Sequence, residues 1–341
     1  MRIEQLWVMG ILVPFGVALL LGVLLTRLML AAARRRQLRQ HIREDGPQSH
    51  LAKAGTPAMG GLALMAAVVL VAAGVLAKTG WNYRLALPLL LGLLFAGVGL
   101  LDDLAKLRKD SPYGLSARWR LLMEFVLAFG VLAWLVSVEF PGPESFSRSW
   151  GFSALGAQSY DLALRMVWVL LTGFVVVATA NAVNITDGVD GLAATTLGIC
   201  ALALATACFF RGMGDRTVLA AAVAGAAFGF LWFNAHPAKI FMGDVGALGL
   251  GALLGAVAVS AGLEWLFGLL ALVFIVETVS VILQVLSFKL TGKRIFRMTP
   301  IHHAFEMRGW SEPQVVARFA LVGLFAALLG LSLMLALFPG R

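Results

Sequence analysis

The chain has 341 residues, 60% hydrophobic and only 13% charged, with 27 Lys+Arg against 18 Asp+Glu for a formal charge of +9. Soluble domains carry roughly 45–50% apolar and about 25% charged residues, so this composition, with a mean hydropathy of +0.89, excludes a soluble globular protein. The basic balance suits anionic lipid headgroups and basic loops on one membrane face; without an aromatic-basic tract or zinc spacing, no nucleic-acid partner is expected.

A spanning helix needs about 20 mostly apolar residues. Ten such runs can be drawn, at about 6–33, 59–77, 85–101, 119–138, 162–183, 191–210, 217–233, 245–262, 265–286 and 315–338. The expected fold is an all-α polytopic membrane protein of about ten helices, a single integral membrane domain over 1–341. The first run is too long for a cleaved signal peptide, and its charges, Arg34-Arg35-Arg36, follow it. The run at 191–210 holds both cysteines, Cys200 and Cys208. They lie about 12 Å apart along a helix axis, too far for a disulfide. Ser311-Glu312-Pro313-Gln314 has the spacing of a capping box before the last run.

Orientation follows from the basic residues. Arg34, Arg35, Arg36, Arg39, Arg43, Lys53, Lys106, Arg108, Lys109, Arg118, Arg120, Lys239, Lys289, Lys293, Arg294, Arg297 and Arg308 fall on one face. The other keeps Arg2, Lys78, Arg84, Arg148, Arg165, Arg211, Arg216 and Arg341. The richer face is the cytoplasmic one, which puts both termini outside. The polar loops 34–58, 102–118, 184–190, 234–244 and 287–314 then share the cytoplasmic face. Among the external loops only 139–161, rich in Pro, Gly, Ser and aromatics, has room for a small hairpin or cap. No internal repeat of the kind found in many transporters is visible.

The stretch Asn181 to Gly191 carries two carboxylates, two carboxamides, a threonine and two glycines between apolar runs. Such polarity must face water or line a protein cavity; an ordinary interhelical loop also satisfies that. Asp102-Asp103 close the third run, where adjacent anions oppose a helix C-terminus and each other. A metal ion would compensate them, as would Lys106, Arg108 and Lys109 in solvated ion pairs. Asp187 and Asp190 are close enough to share a site, and Asp244 also reads as an N-cap. Five aspartates from three loops suit Mg²⁺, a hard ion that takes carboxylate and phosphate oxygens. The lack of Cys/His spacing argues against zinc.

His302-His303 suit proton transfer, phosphate contact or a structural polar patch, and spacing alone favours the last. Asn234 and Lys239 add a carboxamide and a cation near Asp244, and Lys53 beside Gly55-Thr56-Pro57 suits phosphate. Glu124, Glu277 and Gln284, inside spans, read as packing or headgroup-level residues. Together these residues describe a metal-dependent phosphate site at the cytoplasmic surface, suited to phosphoryl transfer from a nucleotide-linked donor to a lipid acceptor.

These motifs resemble the polyprenyl-phosphate N-acetylhexosamine-1-phosphate transferase superfamily. The resemblance runs in order through Ile42 to Pro47 with Ser49-His50, Lys53 to Pro57, Asp102-Asp103 through Lys106 and Gly114 to Ala117. It continues through Asn181 to Gly191, Phe233 to Pro237, Phe241 to Gly246, Glu277 to Gln284 and Phe296 to His303. The Thr299 to His303 loop with Gly309-Trp310-Ser311-Glu312 is similar to the phospho-N-acetylmuramoyl-pentapeptide transferase branch. The resemblance implies a ten-helix fold, Mg²⁺, UDP-MurNAc-pentapeptide as donor and undecaprenyl phosphate as acceptor. Lipid I and UMP are then the products, in a bacterial inner membrane, and a homodimer is plausible by the same resemblance.

By position it implies Mg²⁺ on Asp244, with Asp102 and Asp103 handling the acceptor phosphate as the other catalytic residues. Asn184, Asp187 and Asn234 would shape the nucleotide site, Phe241 would face the uracil, and Asp190 would line the pocket. Lys53, His302 and His303 would contact phosphates or sugar, and Lys106 and Gly188 complete the substrate-binding set. Two positions depart from the family pattern: Ala304 stands at the third histidine, and Ala58 where Thr follows Gly-Thr-Pro.

Direct attack, with Asp102 taking the proton of the polyprenyl phosphate, competes with a covalent phosphoryl-enzyme. Two other functions stand beside this reading. One is the same fold acting on UDP-GlcNAc, against which the histidine loop argues. The other is a transporter or flippase, against which the one-sided carboxylates argue.

Overall fold

Lipid offers backbone amides no partner, so apolar runs of this length satisfy themselves as helices. A computed structural model describes residues 8–35, 55–109, 114–138 and 161–337. Lys53, the motif residues 42–50 and loop residues 139–160 lie outside the described part. The long helices are α1 (Val13–Arg35, after a π turn at Val8–Leu12), α2 (Gly61–Thr79), α3 (Tyr83–Lys109), α4 (Ala117–Val138) and α5 (Asp161–Thr186). They continue as α6 (Leu192–Phe210), α7 (Gly214–Asn234), α8 (Gly243–Ser260), α10 (Leu272–Thr291) and α12 (Glu312–Leu337), with short α9 (Glu264–Leu270) and α11 (Ile301–Glu306) between. Among the described residues, 9 helices are long and apolar enough to cross a membrane. The remaining long helix, α4, starts with Arg118, Arg120 and Glu124. The protein is an all-helical, multi-pass membrane protein.

Two helices depart from the apolar runs. α3 continues past Leu101, where the apolar run stops, to Lys109, so Asp102 and Asp103 lie inside a helix and do not end one. The run at 265–286 is divided at Ala271 into α9 and α10.

α8 is the hub. All its residues from Gly243 to Val259 are buried, whereas α1, α10 and α12 bury only a stripe and show lipid-sized side chains outward. Its sequence explains the position: glycine and alanine let neighbouring backbones close in, the main source of helix attraction where lipid is as apolar as the side chains. A Cβ at Gly61 of α2 would lie 2.1 Å from the Gly246 nitrogen, and one at Gly251 2.8 Å from Ala180 Cα of α5. α3 packs along α8 in the same way, a Cβ at Gly99 falling 2.3 Å from the Asp244 carbonyl oxygen.

After α10, the chain turns at Gly292 (φ 68°) and runs back along the helix it has just left. The irregular backbone of this return needs hydrogen-bond partners of its own. Gln284 supplies them, its Oε1 accepting Ile295 and Phe296 N–H at 2.9 Å each and its Nε2 donating to Phe296 O at 2.9 Å. α11 is then fastened to α12 by Phe305 stacked on Trp310 (4.4 Å, 17°), with the Arg318 guanidinium 3.7 Å from the Trp310 ring. The capping box at α12 is half made: Gln314 Oε1 accepts Ser311 N–H at 3.1 Å.

Candidate active site

Asp103 lies one turn beyond Gly99 on the same face of α3, so the close crossing delivers it to the start of α8. Its carboxylate accepts Asp244 N–H at 3.3 Å and Val245 N–H at 3.2 Å. The first amides of a helix have no partner within it; here another helix caps them. Asp244 is therefore not the N-cap that its position suggested: Met242 holds that place, without a side-chain bond, and Asp244 sits in the first turn.

Asp102, Asp103 and Asp244 are buried at 2%, 4% and 8% exposure. Their carboxylate oxygens lie within 4.8 Å of one another. Lys106, on the next turn of α3, places Nζ 2.8 Å from Asp102 Oδ2, 3.0 Å from Asp244 Oδ2 and 3.6 Å from Asp103 Oδ1. Leu115 N–H donates to Asp102 Oδ1 at 2.7 Å, and a Cβ on Gly114 would lie 2.5 Å from that oxygen. Asn184, in the last turns of α5, donates to Asp244 Oδ1 at 2.9 Å. Arg120 of α4 donates from Nη1 to Asp244 Oδ2 at 3.2 Å, its Nε 3.7 Å from the buried Glu124. Asn181 donates to Glu124 from the other side. Three carboxylates around one ammonium match the donor set of a hard divalent cation, and Lys106 shows that a positive charge is held at their centre.

Asp187 follows α5 and is half-buried beside this cluster. Burial first, then the neighbouring Asp244, Asp103 and Asp190 charges, push its carboxyl well above the usual range, against the Gly243 N–H that stabilises its anion. Gly188 faces the histidines: a Cβ there would meet His302 Nε2 at 2.4 Å and His303 Nε2 at 3.4 Å.

Asp190 joins a second group. Its Oδ2 accepts Ala238 N–H at 3.0 Å and contacts His236 Nδ1 at 3.1 Å, while its own N–H donates to Glu312 Oε2 at 3.1 Å. Asn234 is buried and donates to Ile240 O at 2.9 Å, shaping the loop before α8. That loop pairs with the start of α2: Phe241 N–H donates to Pro57 O at 2.8 Å and Gly60 N–H to Phe241 O at 2.9 Å, leaving the Phe241 ring half-buried. Ala58 and Ala304, the two departures, are both buried.

The structure thus brings together Asp102, Asp103, Lys106, Asn184, Asp187, Gly188, Asp244, His302 and His303, with Asp190 in the same turn as Asp187. Asn234 and Phe241 shape the loop that leads into Asp244. Sequence reasoning gave no site role to Arg120, which it counted as a topology charge, or to Glu124, read as packing. His236 and Glu312 stood inside quoted motifs without a role.

Residues 85–262, which hold all these groups up to Asp244, match the family described as Glycosyl transferase family 4. The chain is also 44% identical over 310 residues to the phospho-N-acetylmuramoyl-pentapeptide-transferase of Rhodopseudomonas palustris (strain BisA53), covering 86% of this chain and 84% of that protein. This chain belongs to the phospho-N-acetylmuramoyl-pentapeptide-transferase family, within glycosyl transferase family 4.

Proposed function

We propose that this protein transfers phospho-MurNAc-pentapeptide from UDP-MurNAc-pentapeptide to undecaprenyl phosphate, making lipid I and UMP at the cytoplasmic face of a bacterial inner membrane. The observation that carries the reading is the buried Asp102, Asp103, Asp244 and Lys106 cluster at the loop end of the helices, in a chain of this family.

The acceptor phosphate and the donor diphosphate are both anionic, and Lys106 and Arg120 are the cations that meet them. Asp102 takes the proton of the acceptor phosphate, whose oxygen attacks the β-phosphorus of the donor. Leu115 N–H on Oδ1 and Lys106 on Oδ2 hold Asp102 in one orientation. Asn184 does the same for Asp244. Asp103 spends its oxygens on the α8 amides and fixes the crossing that aligns the other two. Asp244, with Asp102 beside it, would hold Mg²⁺, which would supply positive charge for the diphosphate and the departing UMP. His302 and His303 approach the donor from across Gly188, and Asp190 lines the nucleotide side.

UMP release by the purified protein, with undecaprenyl phosphate and Mg²⁺, tests the reading. Release with UDP-MurNAc-pentapeptide, absent with UDP-GlcNAc and lost in Asp244→Asn, is expected despite Ala58 and Ala304. Release with UDP-GlcNAc alone would overturn it.

A further inference from the structure

Glu277 is fully buried on α10, and so is His302 on α11, at 0% exposure each. The return of the chain along α10, pinned by Gln284 two turns after Glu277, puts Glu277 Oε2 3.1 Å from His302 Nδ1. A carboxylate taken out of water needs a cation or donor beside it. His302 is the only group within ion-pair distance of Glu277 among the described residues. Neither ring nitrogen of His302 makes an aligned hydrogen bond there. Its Nε2 faces Gly188, which has no side chain to obstruct it.

The neighbouring ring repeats the arrangement. His303 Nδ1 lies 2.6 Å from Glu306 Oε2, and its Nε2 also faces Gly188. The two rings touch edge to face at 4.2 Å between centroids. Two imidazoles, each with a carboxylate at Nδ1, therefore turn both Nε2 atoms to one glycine beside Asp187. A carboxylate at one ring nitrogen fixes the ring's orientation and leaves the other nitrogen as its working edge.

We propose that Glu277 and Glu306 are positioning residues. They set His302 and His303 so that the two Nε2 atoms converge over Gly188 on phosphate oxygens of the nucleotide-linked donor. The assignment rests on the function proposed above, and it uses a buried glutamate that the reaction otherwise leaves idle. Acting through the rings, the carboxylates influence donor affinity and turnover and leave the acceptor untouched.

The test uses full-length protein labelled with ¹⁵N-histidine. The chain has only 5 histidines, so the ring signals are assignable with His302→Gln and His303→Gln. Adding UDP is expected to move both Nε2 signals in the wild type. In Glu277→Gln the His302 response disappears while that of His303 remains, and Glu306→Gln gives the converse. In turnover, Glu277→Gln is expected to lower kcat/KM for the donor about tenfold or more with KM for the acceptor unchanged, and Glu277→Asp to recover part of it. Glu264→Gln, at a half-buried carboxylate that starts α9, leaves both constants as they were.

Nε2 signals that ignore UDP in the wild type would overturn the inference. So would a Glu277→Gln protein that keeps the His302 response and loses only thermal stability. Absence of UMP release by the wild type with either donor would count against the proposed function alone, because the response to UDP is read without turnover.

Discussion

Lys106 sits among three carboxylates that neutralise it in excess, leaving the cluster net negative when all are ionised. Removing the ammonium leaves buried like charges unpaired, a change that costs about 3–5 kcal/mol in buried pairs. Lys106→Met is expected to lower the thermal midpoint markedly, and Mg²⁺ to restore more of it than Mg²⁺ adds to the wild type. A Mg²⁺ titration followed by melting measures both, and equal gains in the two proteins would show that the carboxylates do not hold the ion. Asp187 gives a pH signature. A carboxyl raised in the fold binds its proton more tightly there than in the unfolded chain. Its contribution is thus fully present below the unfolded value of about 4 and is lost as pH rises through the folded one. Without divalent ions, the melting midpoint should fall as pH climbs from about 4 toward neutrality, and Asp187→Asn should flatten that slope. The pairing of Asp102 with Lys106 was legible in the sequence as an ion pair after the apolar run. Its helical i, i+4 spacing was not, because the helix was read as ending at Asp102-Asp103. The capping of α8 by Asp103 was not, since no local pattern announces a partner from another helix.

At the level of elements, charge hid the end of α3 and polarity hid the use of α10. The hydropathy run stops at Leu101, yet the helix continues because Asp102, Asp103 and Lys106 find partners around α8 instead of lipid. Gln284 and Glu277 look like isolated polar residues in a span, but both face the returning segment. Gln284→Leu deprives three backbone groups of their partners, the exposed Ile295 N–H and the half-buried N–H and C=O of Phe296. Each lost hydrogen bond costs about 0.5–1.5 kcal/mol. Faster hydrogen exchange at Ile295 and Phe296, with a lower midpoint, is the expected result; unchanged exchange would mean the segment is held by something else. Gly61 makes the complementary point. Gly61→Ala puts a methyl into the Gly246 backbone, and a forced separation of α2 from α8 should destabilise the protein by about 1–3 kcal/mol. The same change at Gly74, where nothing lies within 4 Å, should be harmless.

Over the whole molecule, the helices and their order were readable because lipid demands long apolar runs. The candidate residues named from the sequence lay in the polar interruptions, whereas Arg120 and Glu124 lay inside the run at 119–138 and were passed over. The packing around α8 was not readable, since glycine and alanine carry no directional signal until two faces meet. Orientation can be read from outside. Lys239 at the loop end and Arg211 at the other are both exposed, and the native Cys200 and Cys208 are buried and free. Lys239→Cys is expected to react with a membrane-impermeant maleimide only in inverted vesicles, and Arg211→Cys only in intact cells; the reverse pattern would turn the topology over. The hub position of α8 also sets the order of birth. α2, α3, α5 and α7 all rest on a helix that leaves the ribosome after every one of them. Until residue 260 has been made, the faces of α2, α3 and α5 that close on α8 have no partner, although α1 and α7 can already pack through Gly22, Gly225 and Gly229. The catalytic cluster and the centre of the fold are then completed by one arrival.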